Sequence, residues 1–194
     1  MVRQIKRRAL YFSSPGQITV REEMLPSPKV DQVLVQTKIS AISPGTEMLL
    51  YRGQFPPELA VDPTIPDLSG GFQYPLKYGY SVVGKVTQIG EEVDPTWLGK
   101  EVFAFHPHES HFISSTQVLH PLPEGISSED ALFLPNIETA VNFLLDSRPL
   151  IGERVVVLGQ GIVGLLTTAL LDWFPLSQLI TLDRYPLRRQ ASLT

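Results

Sequence analysis

The sequence contains no cysteine. That excludes disulfides, thiol nucleophiles and any zinc site built on thiolates. It fits a reducing compartment, so a cytoplasmic location is the expectation, although secreted chains can also lack cysteine. Positive charge is not in excess: 16 Lys and Arg stand against 20 Asp and Glu, a net charge of −4. That balance argues against nucleic acid as a partner, since such proteins carry a basic face. No apolar signal core follows the basic start MVRQIKRRAL; the strand-like YFSSPGQITV follows instead. Arg3, Lys6, Arg7 and Arg8 read as a solvated strand edge. One uncharged run, Val155 to Leu171, spans 17 residues. That is the lower edge of a membrane-spanning length, but three glycines and a Gln interrupt it in a different pattern, and no membrane association is expected. Internal repeats and low-complexity tracts are absent.

What remains is an ordinary globular balance, 43% apolar and 19% charged over 194 residues. The length suits one large domain or two small ones, with a sizeable core. The chain changes character near residue 125. Before it lie 13 of the 17 prolines and 9 of the 14 glycines, with short alternating segments between them. In Asp31–Ser43, Val33, Val35, Thr37, Ile39 and Ala41 share one face, and Leu34 is the apolar exception on the other. Arg7–Ser13, Gln17–Glu23, Tyr80–Gly90, Glu101–His106 and His111–Ser115 read as further strands. Many short strands with Pro and Gly turns predict a small antiparallel barrel or sandwich over residues 1–125. Gln54–Gly79 holds five prolines and reads as a long surface excursion, a kind of loop that often serves function.

Residues 126–194 turn helical and then alternate. Ser127-Ser-Glu-Asp precedes an apolar run and predicts a helix start, with acids near its positive end. A second helix is expected over Asn136–Leu145. Arg154-Val-Val-Val-Leu then reads as a fully buried strand. Gly159-Gln-Gly-Ile-Val-Gly164 follows, then an apolar helix to about Phe174 and a second apolar strand, Leu179–Asp183. A lone GxGxxG is weak evidence, but here strand, helix and second strand stand in the order a dinucleotide site requires. Gly159 permits the tight turn, Gly161 the approach of backbone to a pyrophosphate, and Gly164 the packing of helix on strand. Ile162 and Val163 open the helix whose free N–H groups face the phosphates. Asp183 lies 19 residues past the last glycine, where it would accept hydrogen bonds from ribose hydroxyls and repel a 2′-phosphate. That favours NAD, and adjacent Arg184 leaves NADP open. Glycines that serve packing alone, an S-adenosylmethionine site and a flavin site are the other readings of this pattern.

A β-rich first domain followed by this fingerprint resembles the medium-chain dehydrogenase/reductase family, the alcohol dehydrogenase-like group. Pro44-Gly-Thr-Glu-Met-Leu-Leu-Tyr-Arg-Gly-Gln-Phe-Pro56 looks like its active-site segment. Tyr74-Pro-Leu-Lys-Tyr-Gly-Tyr-Ser-Val-Val-Gly-Lys-Val86 looks like its P-x-x-x-G-H-E-x-x-G-x-V strand. Within the family these runs are most similar to the bacteriochlorophyllide hydroxyethyl dehydrogenase branch. The resemblance implies a GroES-like β-barrel, then an α/β Rossmann domain with a doubly wound parallel sheet. It also implies a small-molecule substrate held in a cleft between the domains and, in the full-length form, a homodimer.

The departures from the family pattern bear on the chemistry. Where zinc-binding members place a Cys, Ser43 and Pro44 stand. The His of G-H-E is Tyr80, followed by Ser81 where the Glu would be, and the third ligand position falls near Leu134. No zinc is therefore expected. A developing oxyanion would then need hydrogen-bond donors, for which Ser43, Thr46 and Tyr80 are the candidates. Zinc-free relatives are often enone or quinone reductases. Glu47 reads as a brace for its loop, with Arg52 as a partner to consider, and Tyr80 also reads as a packed strand aromatic. His106, His108 and His111 fit a polar loop, a pocket lining or a metal site; His120 reads as structural. The expected function is an NAD(P)-dependent, zinc-independent oxidoreductase. Because family members are nearly twice this long, the chain reads as a fragment that need not turn over by itself. A non-catalytic nucleotide-binding or partner-binding remnant is the alternative.

Overall fold

A computed structural model describes residues 5–55 and 73–193. Most of the Gln54–Gly79 stretch, residues 56–72, therefore lies outside the described residues. The chain divides into two compact units, residues 1–132 and 133–194.

In the first unit, β1 (Ile5–Ser14) and β2 (Gln17–Leu25) pair as an antiparallel hairpin. Five further strands form one antiparallel sheet: β3 (Gln32–Ser40), β4 (Val82–Ile89), β5 (Glu101–Ala104), β6 (His111–Ser115) and β7 (His120–Pro121). Their spatial order is β6-β3-β4-β5-β7. Helix α1 (Thr46–Tyr51) follows β3. The alternation read in β3 places Val33 and Val35 in a core with Val82, Val86, Val102 and Phe112. These β-branched and aromatic side chains suit a pleated surface, and each is worth about 1.5–3 kcal/mol when fully buried. Leu34, on the opposite face, is buried too, so the start of β3 is covered on both sides. Helix α2 (Ser128–Ala131) begins where the acids predicted it, with Ser127 Oγ accepting the Asp130 N–H at 3.0 Å.

One expectation for this unit is corrected. Arg7 is not part of a solvated edge. Its guanidinium lies against Glu23 at 2.5 Å and Glu109 at 2.7 Å, and its side chain is only 18% exposed. The reason is the hairpin register, which sets Arg7 opposite Glu23. An isolated bridge at Ala9–Glu109 brings in the second carboxylate.

The second unit contains α3 (Leu134–Ser147), β8 (Arg154–Leu158), α4 (Ile162–Leu171), β9 (Gln178–Leu182) and α5 (Pro186–Ala191). Strands β8 and β9 are parallel, in register from Arg154–Gln178 to Leu158–Leu182. That is the strand–helix–strand order predicted from the glycine motif. β8 is not fully buried, however: Leu158 is 77% exposed. Among the described residues β8 has a strand neighbour on one edge only, so an apolar run did not guarantee cover. No helix among the described residues is long and apolar enough to cross a membrane.

Candidate functional site

The glycine motif forms a loop that β9 clamps through its backbone and its terminal acid. Gly159 takes φ +90°, a conformation that disfavours any side chain. Its N–H donates to the Leu182 carbonyl at 2.7 Å. The next N–H, of Gln160, donates to Asp183 Oδ2 at 2.7 Å. The Tyr185 N–H donates to Asp183 Oδ1, also at 2.7 Å. Asp183 is thus a clamp as well as a candidate ribose ligand, and its side chain is only 4% exposed. The Tyr185 and Gln160 amides, with help from Arg188, hold its carboxyl below the ordinary 3.8 and outweigh the opposing effect of burial.

Helix α4 is preceded by Gly161 at its cap position, with no side-chain cap. The N–H groups of its first turn, including those of Ile162 and Val163, have no intrahelical partner, so the helix presents donors and positive dipole to an anion. At Gly164 a Cβ would lie 1.9 Å from the Gly159 carbonyl oxygen. The helix therefore sits directly on the loop, as the third glycine of the motif was expected to allow. Arg184 and Arg188 lie over the Tyr185 ring, at 4.6 and 5.0 Å. Arg188 also reaches Asp183 Oδ2 at 3.7 Å. Arg184 precedes α5 and Arg188 lies on it, four residues further along the chain. The donors, helix end and acid fit a dinucleotide: Gly161, Ile162 and Val163 for phosphates, Asp183 for a ribose.

In the first unit the structure assembles a group the sequence did not reveal. Glu47, in the first turn of α1, is 2% exposed. Its Oε1 accepts the Ser43 N–H at 2.8 Å. Its Oε2 lies 2.9 Å from His108 Nε2. His108 Nδ1 lies 2.9 Å from Ser40 Oγ, at the end of β3. Glu47 does brace its loop, but against Ser43 and His108 rather than Arg52. The partners are 61 residues apart, beyond the reach of any spacing argument.

The predicted donors take separate positions. Ser43 Oγ accepts the Thr46 N–H at 3.3 Å, so both residues belong to the turn that opens α1. Tyr80 packs with Phe12, Leu50 and Tyr78, and meets the Tyr78 ring edge-on at 6.3 Å. Ser81 Oγ donates to the Leu132 carbonyl at 2.7 Å. The three histidines diverge as well. His106 stacks on Phe112 at 4.0 Å, His108 joins Glu47, and His111 Nδ1 lies 3.2 Å from Ser110 Oγ. Burial holds the His111 imidazole below its ordinary value. Among the described residues no three His, Asp or Glu side chains gather around a metal position. A hydroxyl, a phenol and an aliphatic side chain, at Ser43, Tyr80 and Leu134, are not a zinc donor set.

No protein-family model matches the chain. It is 26% identical over 121 residues to 2-desacetyl-2-hydroxyethyl bacteriochlorophyllide A dehydrogenase of Cereibacter sphaeroides, across 62% of this chain and 31% of that protein. Among solved structures it is similar to an alcohol dehydrogenase of Escherichia coli in complex with NADH, with TM-score 0.77 and 19% identity, covering 97% of this chain and 60% of that one. It is also similar to a zinc-binding dehydrogenase of Sinorhizobium meliloti bound to NADP, with TM-score 0.75 and 20% identity, covering 98% and 60%. The fold is therefore that of the alcohol dehydrogenase-type structures, a GroES-like β unit followed by a Rossmann-type βαβ unit. The expected resemblance to the medium-chain dehydrogenase/reductase family holds at that level. The chain spans about a third of the curated relative's length and about 60% of the solved structures'.

Proposed function

We propose that the chain is the β unit and the first nucleotide-binding unit of a nicotinamide-dependent oxidoreductase. The observation that carries this reading is the loop at Gly159–Gly164, closed on α4 at a distance no side chain would permit and clamped by Asp183. The similar structures that hold NADH and NADP support it. The bound nicotinamide would supply the acceptor or donor of hydride. The substrate would be an alcohol and its carbonyl, or a conjugated enone. The residue types at Ser43, Tyr80 and Leu134 favour a reaction without zinc, in which protein hydrogen-bond donors meet the developing oxyanion.

The reading favours NAD. A carboxylate offers about four lone-pair sites, and backbone amides occupy one on each Asp183 oxygen. The remaining sites can accept ribose hydroxyls, while the same charge repels a 2′-phosphate.

Fluorescence titration of the 194-residue chain with NADH and NADPH tests this. Saturable binding is expected, tighter for NADH. In Asp183→Asn, NADH should weaken about tenfold more than NADPH, the scale of a charged hydrogen bond. Loop damage common to both cofactors cancels in that ratio. Because the folded carboxyl is held below 3.8, Asp183 stays ionised through neutral and mildly acid pH. The NADH preference should be flat from pH 8 to about 5 and fade only as pH falls through the folded value. A folded chain that binds neither nucleotide would end the reading.

A further inference from the structure

Strand β2 has a free outer edge. β1 pairs with it on one side, and among the described residues no strand pairs with it on the other. Such an edge turns the N–H and C=O groups of alternate residues to solvent, where they can template another strand. The usual defences of an edge are weak here. β2 is nine residues long and carries neither proline nor lysine. Ile18, Val20 and Met24 are each more than half exposed, and they share one face with Glu22.

The charges of β2 define the strand that fits it. On the opposite face Arg21 and Glu23 stand two residues apart with opposite signs. A strand with that pattern complements itself when two copies run antiparallel about the residue between, Glu22. Arg21 then lies opposite Glu23 of the second copy, and Val20 opposite its Met24, each pair occurring twice. Opposite-charge and apolar cross-strand pairs both stabilise a sheet. Centring the pair on Arg21 would set two guanidiniums together, and centring it on Val20 would put Ile18 against Glu22. The charged groups are available. Arg21 lies over the Tyr11 ring at 4.3 Å and has no carboxylate partner among the described residues. Glu23 Oε1 accepts only the Tyr11 hydroxyl among the described residues. The one like-charged pair, Glu22 on Glu22, is offset in each copy by Lys6, 3.6 Å away, and by Arg8, directly opposite on β1.

We infer that the outer edge of β2 is a homodimer surface, to which a second copy of this chain adds its own β2, antiparallel and centred on Glu22. The two hairpins join into one four-stranded sheet, and the interface is isologous. The ladder runs from Thr19 to Leu25 in both copies. Pro26 closes it, because proline has no N–H to donate.

Sedimentation velocity of the 194-residue chain, from low to high micromolar concentration, is expected to show a reversible monomer–dimer equilibrium. Val20→Lys charges a site that is already exposed, so it should melt as the parent does while weakening the dimer about tenfold, since two cross-strand pairs are lost. Arg21→Glu should weaken it at least as much, and Arg21→Lys should retain most of the association. Val118→Lys adds the same charge at another exposed site of the first unit and should leave the dimer unchanged. The register has its own test, because the chain has no cysteine and a single introduced one takes a unique spin label. Labels on Glu22→Cys should lie on adjacent strands, directly opposite. Labels on Ile18→Cys should lie roughly 25 Å apart, eight residues of strand rise. A chain that stays monomeric throughout overturns the inference and leaves the edge to a strand of a different protein. A dimer that survives both Val20→Lys and Arg21→Glu also overturns it, as association through the exposed Val156 and Leu158 of β8 would. So does a Glu22 label distance longer than the Ile18 one. None of these outcomes depends on nucleotide binding.

Discussion

Gly164→Ala is expected to abolish saturable nucleotide binding and to destabilise the second unit. The added methyl would lie 1.9 Å from the Gly159 carbonyl oxygen and 2.9 Å from its carbon. Both are backbone atoms, so no rotamer change relieves the overlap. The loop cannot retreat, because the Gly159 and Gln160 amides are tied to Leu182 and Asp183. Helix α4 must lift instead, and its first-turn donors move away from the phosphates. Overpacking of this kind costs about 1–3 kcal/mol, and the lost geometry should weaken NADH by more than about a hundredfold, the scale of two lost charged hydrogen bonds.

Gly161→Ala is the control. Its Cβ would approach only the Arg188 Nη1 atom, at 3.9 Å, and Gly161 has φ −77°. The chain should therefore melt as the parent does, and any loss should fall on nucleotide binding, where backbone and pyrophosphate meet. Thermal melts and NADH titrations of the two variants separate these cases. A Gly164→Ala chain with parental affinity would mean that the loop is not a nucleotide cradle.

The contrast between those glycines also bears on what a sequence can reveal. The loop was legible because its partners are consecutive or nearly so, and because the second strand brings Asp183 back at a fixed distance. Strand β6 was read at its observed bounds, and β3 differed only at its ends, since alternation of β-branched residues is a local signal. Burial was less legible than the strands themselves. Val156 and Leu158 have the composition of a covered strand, yet cover depends on what packs there. Long-range pairing was least legible. Glu47 had Arg52 five residues away as a local partner, while its actual partner comes from the β5–β6 connection. Arg7 read as solvated because nothing near it in sequence announces Glu109. The triple-histidine run drew attention as a unit, but the segment leaves the strand after Ala104 and bends at His108 and Ser110, so strand alternation does not govern it, and only His108 reached Glu47.

Glu109→Ala is expected to destabilise the first unit by about 3 kcal/mol, the lower end for breaking a buried ion pair. The Glu109 side chain is 1% exposed and holds Arg7 at 2.7 Å and Lys77 at 2.6 Å. Glu23 stands on the other side of the same cations, 2.5 Å from Arg7 and 3.7 Å from Lys77. It softens the loss, because Arg7 keeps one carboxylate. Burial pushes the Glu23 carboxyl up, but hydrogen bonds from Tyr11 and Arg7 and the charge of Lys77 push it further down, below its ordinary 4.5. A depressed folded value means that its stabilisation is full above that pH and is lost as pH falls through the folded value. Glu23 is present in parent and variant alike, so its share of the stability should be lost in both as pH falls through that folded value.

The consequence also reaches the hydrogen bonds of Ser40, His108 and Glu47. The segment that carries His108 is pinned to β1 by the Ser110 N–H on the Arg8 carbonyl, at 2.8 Å, and to β3 by Thr37 Oγ1 on the Glu109 carbonyl, at 2.5 Å. Those backbone contacts survive the substitution, and Glu109→Gln keeps the shape of the side chain as well. Glu109→Gln should therefore keep the His108–Glu47 hydrogen bond while losing most of the stability that Glu109→Ala loses. A parental melting curve for Glu109→Ala across pH 4–8 would show that Glu23 alone suffices for both cations.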